Sequence, residues 1–195
     1  MTSTEGEERL ELVLIGDPIL RAGTRRVEDV DAARALLDRM AAKLREIDGA
    51  GLAAPQVGSD LALLVADAGA GREEPDEERD GGDGGGAPPP IRMMNPRIVA
   101  ASVEREQGWE GCFSVPGLMG VVERALAIDV EYQDADGRGR TDRFAGHVAR
   151  VLQHEIDHLN GIFFLDRMAS MATLTTVENF ERFVARVGAR PPETT

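Results

Sequence analysis

Two histidines and a glutamate in one short run, His154-Glu155-Ile156-Asp157-His158, are the residues of this chain best placed to do chemistry. Four residues apart on a helix, His154 and His158 lie on one face. Each can then direct a ring nitrogen at a single divalent ion, while Glu155 can reach a water held by that ion. This HExxH pattern belongs to metal-assisted hydrolysis, in which the ion acidifies water and the glutamate takes its proton. The alternative is a helix with two ordinary histidines. Against it, the chain has three histidines in all, and two of them fall at ligand spacing with an acid in the required slot.

The third ligand is left open by that motif, and three candidates follow from the residues. The extended pattern that places a third histidine three residues after a glycine fits Gly161 but fails at Phe164. A glutamate from a later helix is available in Glu178, twenty residues beyond His158, a spacing known in thermolysin-like proteases. The third candidate is Cys112, the chain's single cysteine, in Glu110-Gly111-Cys112-Phe113-Ser114-Val115-Pro116. Its flanking glycine lets backbone come close to an ion or substrate, although a lone cysteine is more often plain packing. His147 shares the helix face of His154, but about 10 Å of helix rise separates them, and it reads as a structural histidine. Trp109 reads as a packing residue.

The elements that must position these groups can be placed from the pattern of apolar residues. The histidines require a helix from about His147 to Leu159. Upstream, Ala33, Leu36, Leu37, Met40, Leu44 and Ile47 repeat at helical spacing, which predicts a helix over Asp31 to Asp48 with Asp29 or Asp31 as cap and Gly49 as terminator. Leu61 to Ala66 suits a buried strand. Ile91 to Val99, interrupted by Asn95-Pro96, suits an edge or bulged strand. Alternation through Leu126, Ile128, Val130 and Tyr132, then a turn at Asp134 to Gly137, predicts a hairpin with Gly139 to Phe144. Val177, Phe180, Val184 and Val187 after Thr175 and Thr176 suggest a last helix. Strands in the middle with helices before and after predict an α+β fold: antiparallel sheets around a central helix that bears HExxH, and a C-terminal helix.

Length and charge bound the answer further. A chain of 195 residues suits one domain spanning 1–195. Between the two strands named above, 69–90 is almost all Gly, Pro, Asp, Glu and Arg, has little apolar surface to offset the entropy of ordering, and reads as a flexible acidic surface loop. A net charge of −13 argues against general affinity for nucleic acid or an anionic membrane, and no run approaches the ~18 apolar residues of a membrane span. Met1 to Glu11 lacks the order of a secretory signal, and one cysteine makes no internal disulfide, so the expected location is the cytoplasm.

A second glycine-rich segment, Gly49-Ala50-Gly51-Leu52-Ala53-Ala54-Pro55-Gln56-Val57-Gly58, joins the other two. With Glu110 to Ser114 and Gln153 to His158 it supplies GxGxAAxQ, EGCxS and QHExDH in that order. In these three motifs, which span about half the chain, the sequence resembles the peptide deformylases.

The resemblance implies that Cys112, His154 and His158 bind one divalent metal, with Fe(II) expected and Zn(II), Ni(II) or Co(II) able to substitute. It implies that Glu155 moves protons, and that the Gln56 side-chain amide and the Phe113 backbone N–H donate to the oxyanion as formyl is cleaved from N-formylmethionyl peptides of nascent chains. Gly51 would let substrate backbone lie close, although by itself it reads equally as a turn glycine. Ala50, Phe113 and Val151 are the expected walls of a methionine pocket. Gln153 would orient the site, and Asp157 would pair with Arg124 behind it. A transient contact with the ribosome is the further partner implied. The 69–90 stretch is longer than the connection usual in such proteins, and the segment from Ala169 onward carries none of their motifs.

Overall fold

The computed structural model describes residues 9–69 and 88–185. The loop expected at 69–90 therefore falls mostly outside the described residues, as does Val187 of the expected last helix. Helix α1, Val30–Glu46, begins where the Asp29 carboxylate accepts from the backbone N–H of Asp31 and Ala32, so the first of the two possible caps is used. It ends as Asp48 turns to positive φ and the Gly49 N–H reaches back to the Leu44 carbonyl.

Eight strands follow in chain order. They are β1 (Gly51–Ala53), β2 (Leu63–Ala66), β3 (Ile91–Ala101), β4 (Arg105–Cys112), β5 (Val115–Ala125), β6 (Ala127–Gln133), β7 (Gly139–Ala145) and, near the end, β8 (Thr175–Thr176). Helix α2 is Gly146–Leu159, α3 is Phe164–Arg167, and α4 is Val177–Asn179, continued by a π turn over Phe180–Val184. All named pairings are antiparallel. One sheet has the order β1-β2-β3-β6-β7 and the other β4-β5-β8. The architecture is α+β with α2 at its centre, as the pattern of elements predicts.

Strand β2 shows why that sheet forms. Alternate side chains point to opposite faces: Leu64 and Ala66 join Leu152 and Ile156 of α2 in one core, while Leu63 and Val65 join Leu37, Met40 and Leu44 of α1 in another. With both faces covered, its four residues are all buried, and the run is uniformly apolar. Each large side chain so buried contributes ~1.5–3 kcal/mol. A third core, with Leu20, Val115, Val122, Phe163 and Phe164, fastens the smaller sheet to α3.

Two sequence expectations change. The strand around Asn95-Pro96 is not an edge: β3 is the middle of the larger sheet, hydrogen-bonded to β2 and β6. The missing N–H of Pro96 is absorbed because the register shifts between Met94 and Arg97, with Asn95 at φ 53°, so that the bulged alternative is the one adopted. At the C-terminal end, Thr176 alone caps, its side chain accepting from the Asn179 N–H, while Thr175 is spent in β8 against Met119.

Candidate metal centre

Strand β4 and helix α2 face each other residue for residue. Every second residue of a strand and every fourth of a helix share a face, and here Gly108, Glu110 and Cys112 meet Arg150, His154 and His158. The Cys112 Sγ lies 3.2 Å from the His158 Nε2, which lies 3.2 Å from the His154 Nε2. Among the described residues, Cys112, His154 and His158 are the group able to hold a metal ion, their donor atoms all lying within 4.8 Å of one another. Glu178, the rival third ligand, is exposed on α4 and outside that group.

The chemistry of the donor set fits a divalent ion. His154 Nδ1 lies 3.0 Å from the Glu110 Oε2, so a proton there is held by the carboxylate, and the Nε2 lone pair faces the sulfur and the other imidazole. Burial alone would lower the His154 pKa, but the hydrogen bonds to Cys112 and Glu110 outweigh it and raise the value to about 10. Burial and the charge of His154 push His158 well below its ordinary range. A divalent ion would replace the proton drawn into this cluster, because ligating imidazoles must be neutral.

Behind the donors lies a buried ionic network. Arg124 grips Glu110 with two hydrogen bonds, 3.0 Å from Nε and 2.9 Å from Nη2, and gives Nη1 to Asp157. Arg150 donates to the same Glu110 at 2.9 Å and to the Val122 and Glu106 carbonyls, while Arg167 holds Asp157 from the other side. Burial would raise the pKa of Glu110, but His154 and Arg124 hold its carboxyl well below the usual carboxylate range. The expected Asp157–Arg124 pair is present. Gln153 acts on the helix: its amide accepts from the Ala125 N–H and donates to the Ala125 and Ala149 carbonyls, locking α2 to the end of β5.

On the other side of the donors, Gln56 is 1% exposed. Its Oε1 accepts from the Ala53 N–H at 2.8 Å, which fixes the amide so that Nε2 points at the Cys112 Sγ, 3.5 Å away. Glu155 is buried, and burial, opposed by His154, raises its pKa to about 7. A Cβ on Gly51 would stand 2.5 Å from the Glu155 Oε1. This glycine thus leaves room beside the carboxylate, a reason for it distinct from the close substrate backbone or simple turn that its sequence context offers. Phe113 occupies the turn between β4 and β5, and its ring lies where a Cβ on Gly49 would come within 2.9 Å.

A cavity of about 520 Å³ opens onto these groups, lined by Gly51, Gln56, Cys112, His154 and Glu155, and also by Ala50, Phe113 and Val151. His147, expected to be structural, is exposed at its margin. Glu110, Arg150 and Arg167 were given no role from sequence. The first two carried a signal: Glu110 is two residues before Cys112 on a strand, and Arg150 is four before His154 on a helix, so both share the donors' faces.

A helix-borne HExxH, a cysteine sulfur beside its two imidazoles and a buried carboxylate on one cavity define a metal-dependent hydrolase. Residues 9–173 match the family model described as polypeptide deformylase, and the chain belongs to that family. It is 37% identical to peptide deformylase 2 of Nostoc sp. over 92% of this chain and 97% of that one, and 43% identical to the peptide deformylase of Thermus thermophilus over 80% of each. Among solved structures, the Synechococcus elongatus peptide deformylase in complex with actinonin superposes with a TM-score of 0.71 at 33% identity, covering 89% of this chain and 86% of that one. The Met-Ala-Ser-bound class I type b peptide deformylase of Acinetobacter baumannii gives 0.70 at 34%, covering 82% and 98%. No helix among the described residues is long and apolar enough to cross a membrane.

Proposed function

We propose that Cys112, His154 and His158 hold one divalent ion, and that Glu155, Gln56 and the Phe113 backbone carry the reaction of this chain. That chain is a metal-dependent hydrolase that removes the N-formyl group from the N-terminal formylmethionine of newly made polypeptides and releases formate. The observation that most supports the assignment is the convergence of the Cys112 sulfur and two Nε2 atoms beside the buried Glu155.

When bound, the ion supplies Lewis acidity and lowers the pKa of water toward ~7. Glu155 takes the proton of the attacking water and delivers it to the departing methionyl nitrogen. Burial, which raises the pKa of this carboxyl, favours its return of the proton in the second transfer. The Gln56 amide, its oxygen already held by Ala53, presents its N–H to the tetrahedral oxyanion together with the Phe113 N–H, a contribution of ~2.7–4 kcal/mol per donor. Ala50, Phe113 and Val151 wall the methionine side chain. Gly51 lies in β1, the terminal strand of the larger sheet, where an extended peptide can pair as a further strand.

The ion is Fe(II), with Zn(II), Ni(II) or Co(II) able to occupy the same mixed nitrogen and sulfur site. The setting is the cytoplasm, with nascent chains met during a transient contact with the ribosome. The test is an anaerobic assay of formate release from formyl-Met-Ala-Ser, with the unformylated peptide as a protease control. Formate from the first and no cleavage of the second is expected. Cleavage of the unformylated peptide, or no formate, overturns the assignment, and activity that is stable in air with no iron bound overturns Fe(II).

A further inference from the structure

We infer that Thr175–Phe180, which follows the last residue matched by the family model, is the wall of the cleft that selects apolar side chains following the substrate's methionine. The inference rests on the deformylase assignment for the orientation of the peptide. Strand β8 extends the smaller sheet by pairing Thr176 with Leu118 and Thr175 with Met119. The Thr176 cap then starts a short helix, and this places Val177 on the same cavity as Cys112, His154 and Glu155. Val177 keeps 37% of its surface exposed there. Three residues on, the Phe180 ring lies against Trp109, with centroids 5.2 Å apart at an interplanar angle of 59°, and Trp109 lines the cavity too. The wall is therefore fastened at both ends, by strand pairing and by an aromatic contact.

Its distance from Cys112 bears on which part of a peptide it meets. Gly111 stands opposite Met119, and Met119 opposite Thr175, so the wall is two strand spacings, about 9.6 Å, from the strand that ends in Cys112. A peptide extended from the donors toward the wall covers that distance in about three residues, beyond the reach of the methionine itself. At this end the cavity is lined by Trp109, Leu118, Met119 and Val177, with Arg150 and His147 on its α2 side. Against Val177 and Trp109 such a lining favours aliphatic or aromatic side chains over a charged one, which would lose hydration there.

The experiment compares the wild-type chain with Val177→Arg and Val177→Ser on formyl-Met-Leu-Phe and formyl-Met-Glu-Glu, with formate release as one readout. The other is binding of the unformylated peptides Met-Leu-Phe and Met-Glu-Glu, read from the fluorescence of Trp109, the chain's one tryptophan. The wild-type chain should prefer the apolar peptide. Val177→Arg should shift the ratio of kcat/KM values toward the acidic peptide by about 10–100-fold, carried in KM, and Val177→Ser should weaken the preference by about tenfold, in the range of methylene-scale discrimination. A gain on the acidic peptide cannot come from misfolding, and the milder serine variant decides the matter if the arginine variant does not fold. Ratios unchanged within about twofold, or no peptide binding by the wild-type chain, overturn the inference. A shifted binding ratio without any formate release upholds the wall and overturns the hydrolytic assignment instead.

Discussion

The Oε2 of Glu110 lies 3.0 Å from the Nδ1 of His154. That contact joins the buried arginine network to the donor cluster, because the same carboxylate is gripped by Arg124 and Arg150. Glu110→Gln keeps the size but discards the charge. The expected result is a ~10–100-fold weaker hold on the metal, together with a loss of stability of up to about 3–5 kcal/mol as Arg150 loses its counter-charge and Arg124 is left with Asp157 alone. Chelator competition measures the first and thermal unfolding the second. Unchanged metal affinity would show that the contact does not tune His154.

The third ligand separates two enzyme classes. Cys112→Ala should abolish stoichiometric metal binding, and Glu178→Ala should leave it intact, as metal analysis of the purified variants would read directly. The opposite pattern would assign the site to a protease-like ligand set.

Gly51 and Glu155 should behave as one unit. Glu155→Ala is expected to retain the metal and lose ~10²–10⁴-fold in rate. Gly51→Ala must displace the carboxylate, since its new Cβ would fall 2.5 Å from Oε1, and should cost activity without costing metal. Combined, the two changes should be no worse than Glu155→Ala alone, the non-additivity expected of residues in contact. Additive losses would mean that Gly51 serves substrate independently of Glu155.

Tyr132 gives a pH signature. Burial and its hydrogen bond to the Asp142 carboxylate, 2.6 Å, raise its pKa to about 12. Because the folded value lies above the unfolded one of ~10, its contribution to stability is complete below about pH 10 and is lost as pH rises toward 12. Tyr132 is the chain's one tyrosine, so phenolate absorbance reports it alone. A midpoint near 10 in the native chain would contradict the assignment, and Tyr132→Phe should remove that alkaline loss.

Much of this was legible in the residues because the patterns are local. The helical repeat of Leu37, Met40 and Leu44, the hairpin at Asp134 to Gly137 and the HExxH face each depend on neighbours in sequence. What was not legible depends on register between distant segments. That β3 is central rather than an edge is decided by β2 and β6 on either side of it. That Gly51 makes room for Glu155, or that Arg167 holds Asp157, requires elements more than a hundred residues apart, or on either side of a turn, to be already packed. The role of Val177 was invisible for the same reason: only β8 pairing with β5 brings the C-terminal segment to the cavity.

The facing of Gly108, Glu110 and Cys112 with Arg150, His154 and His158 has one further consequence. Two strand residues advance about 6.8 Å and four helical residues about 6.0 Å, so the two scales drift apart by roughly 0.8 Å at each step and coincide over only a few. The correspondence works like a vernier that reads true at one mark. Inserting or deleting a single residue of β4 ahead of Glu110 would rotate Glu110 and Cys112 to the opposite side of the strand together. The arginine anchor and the sulfur would then be lost in one event, which ties the length of this strand to the reaction as firmly as the identity of any residue in it.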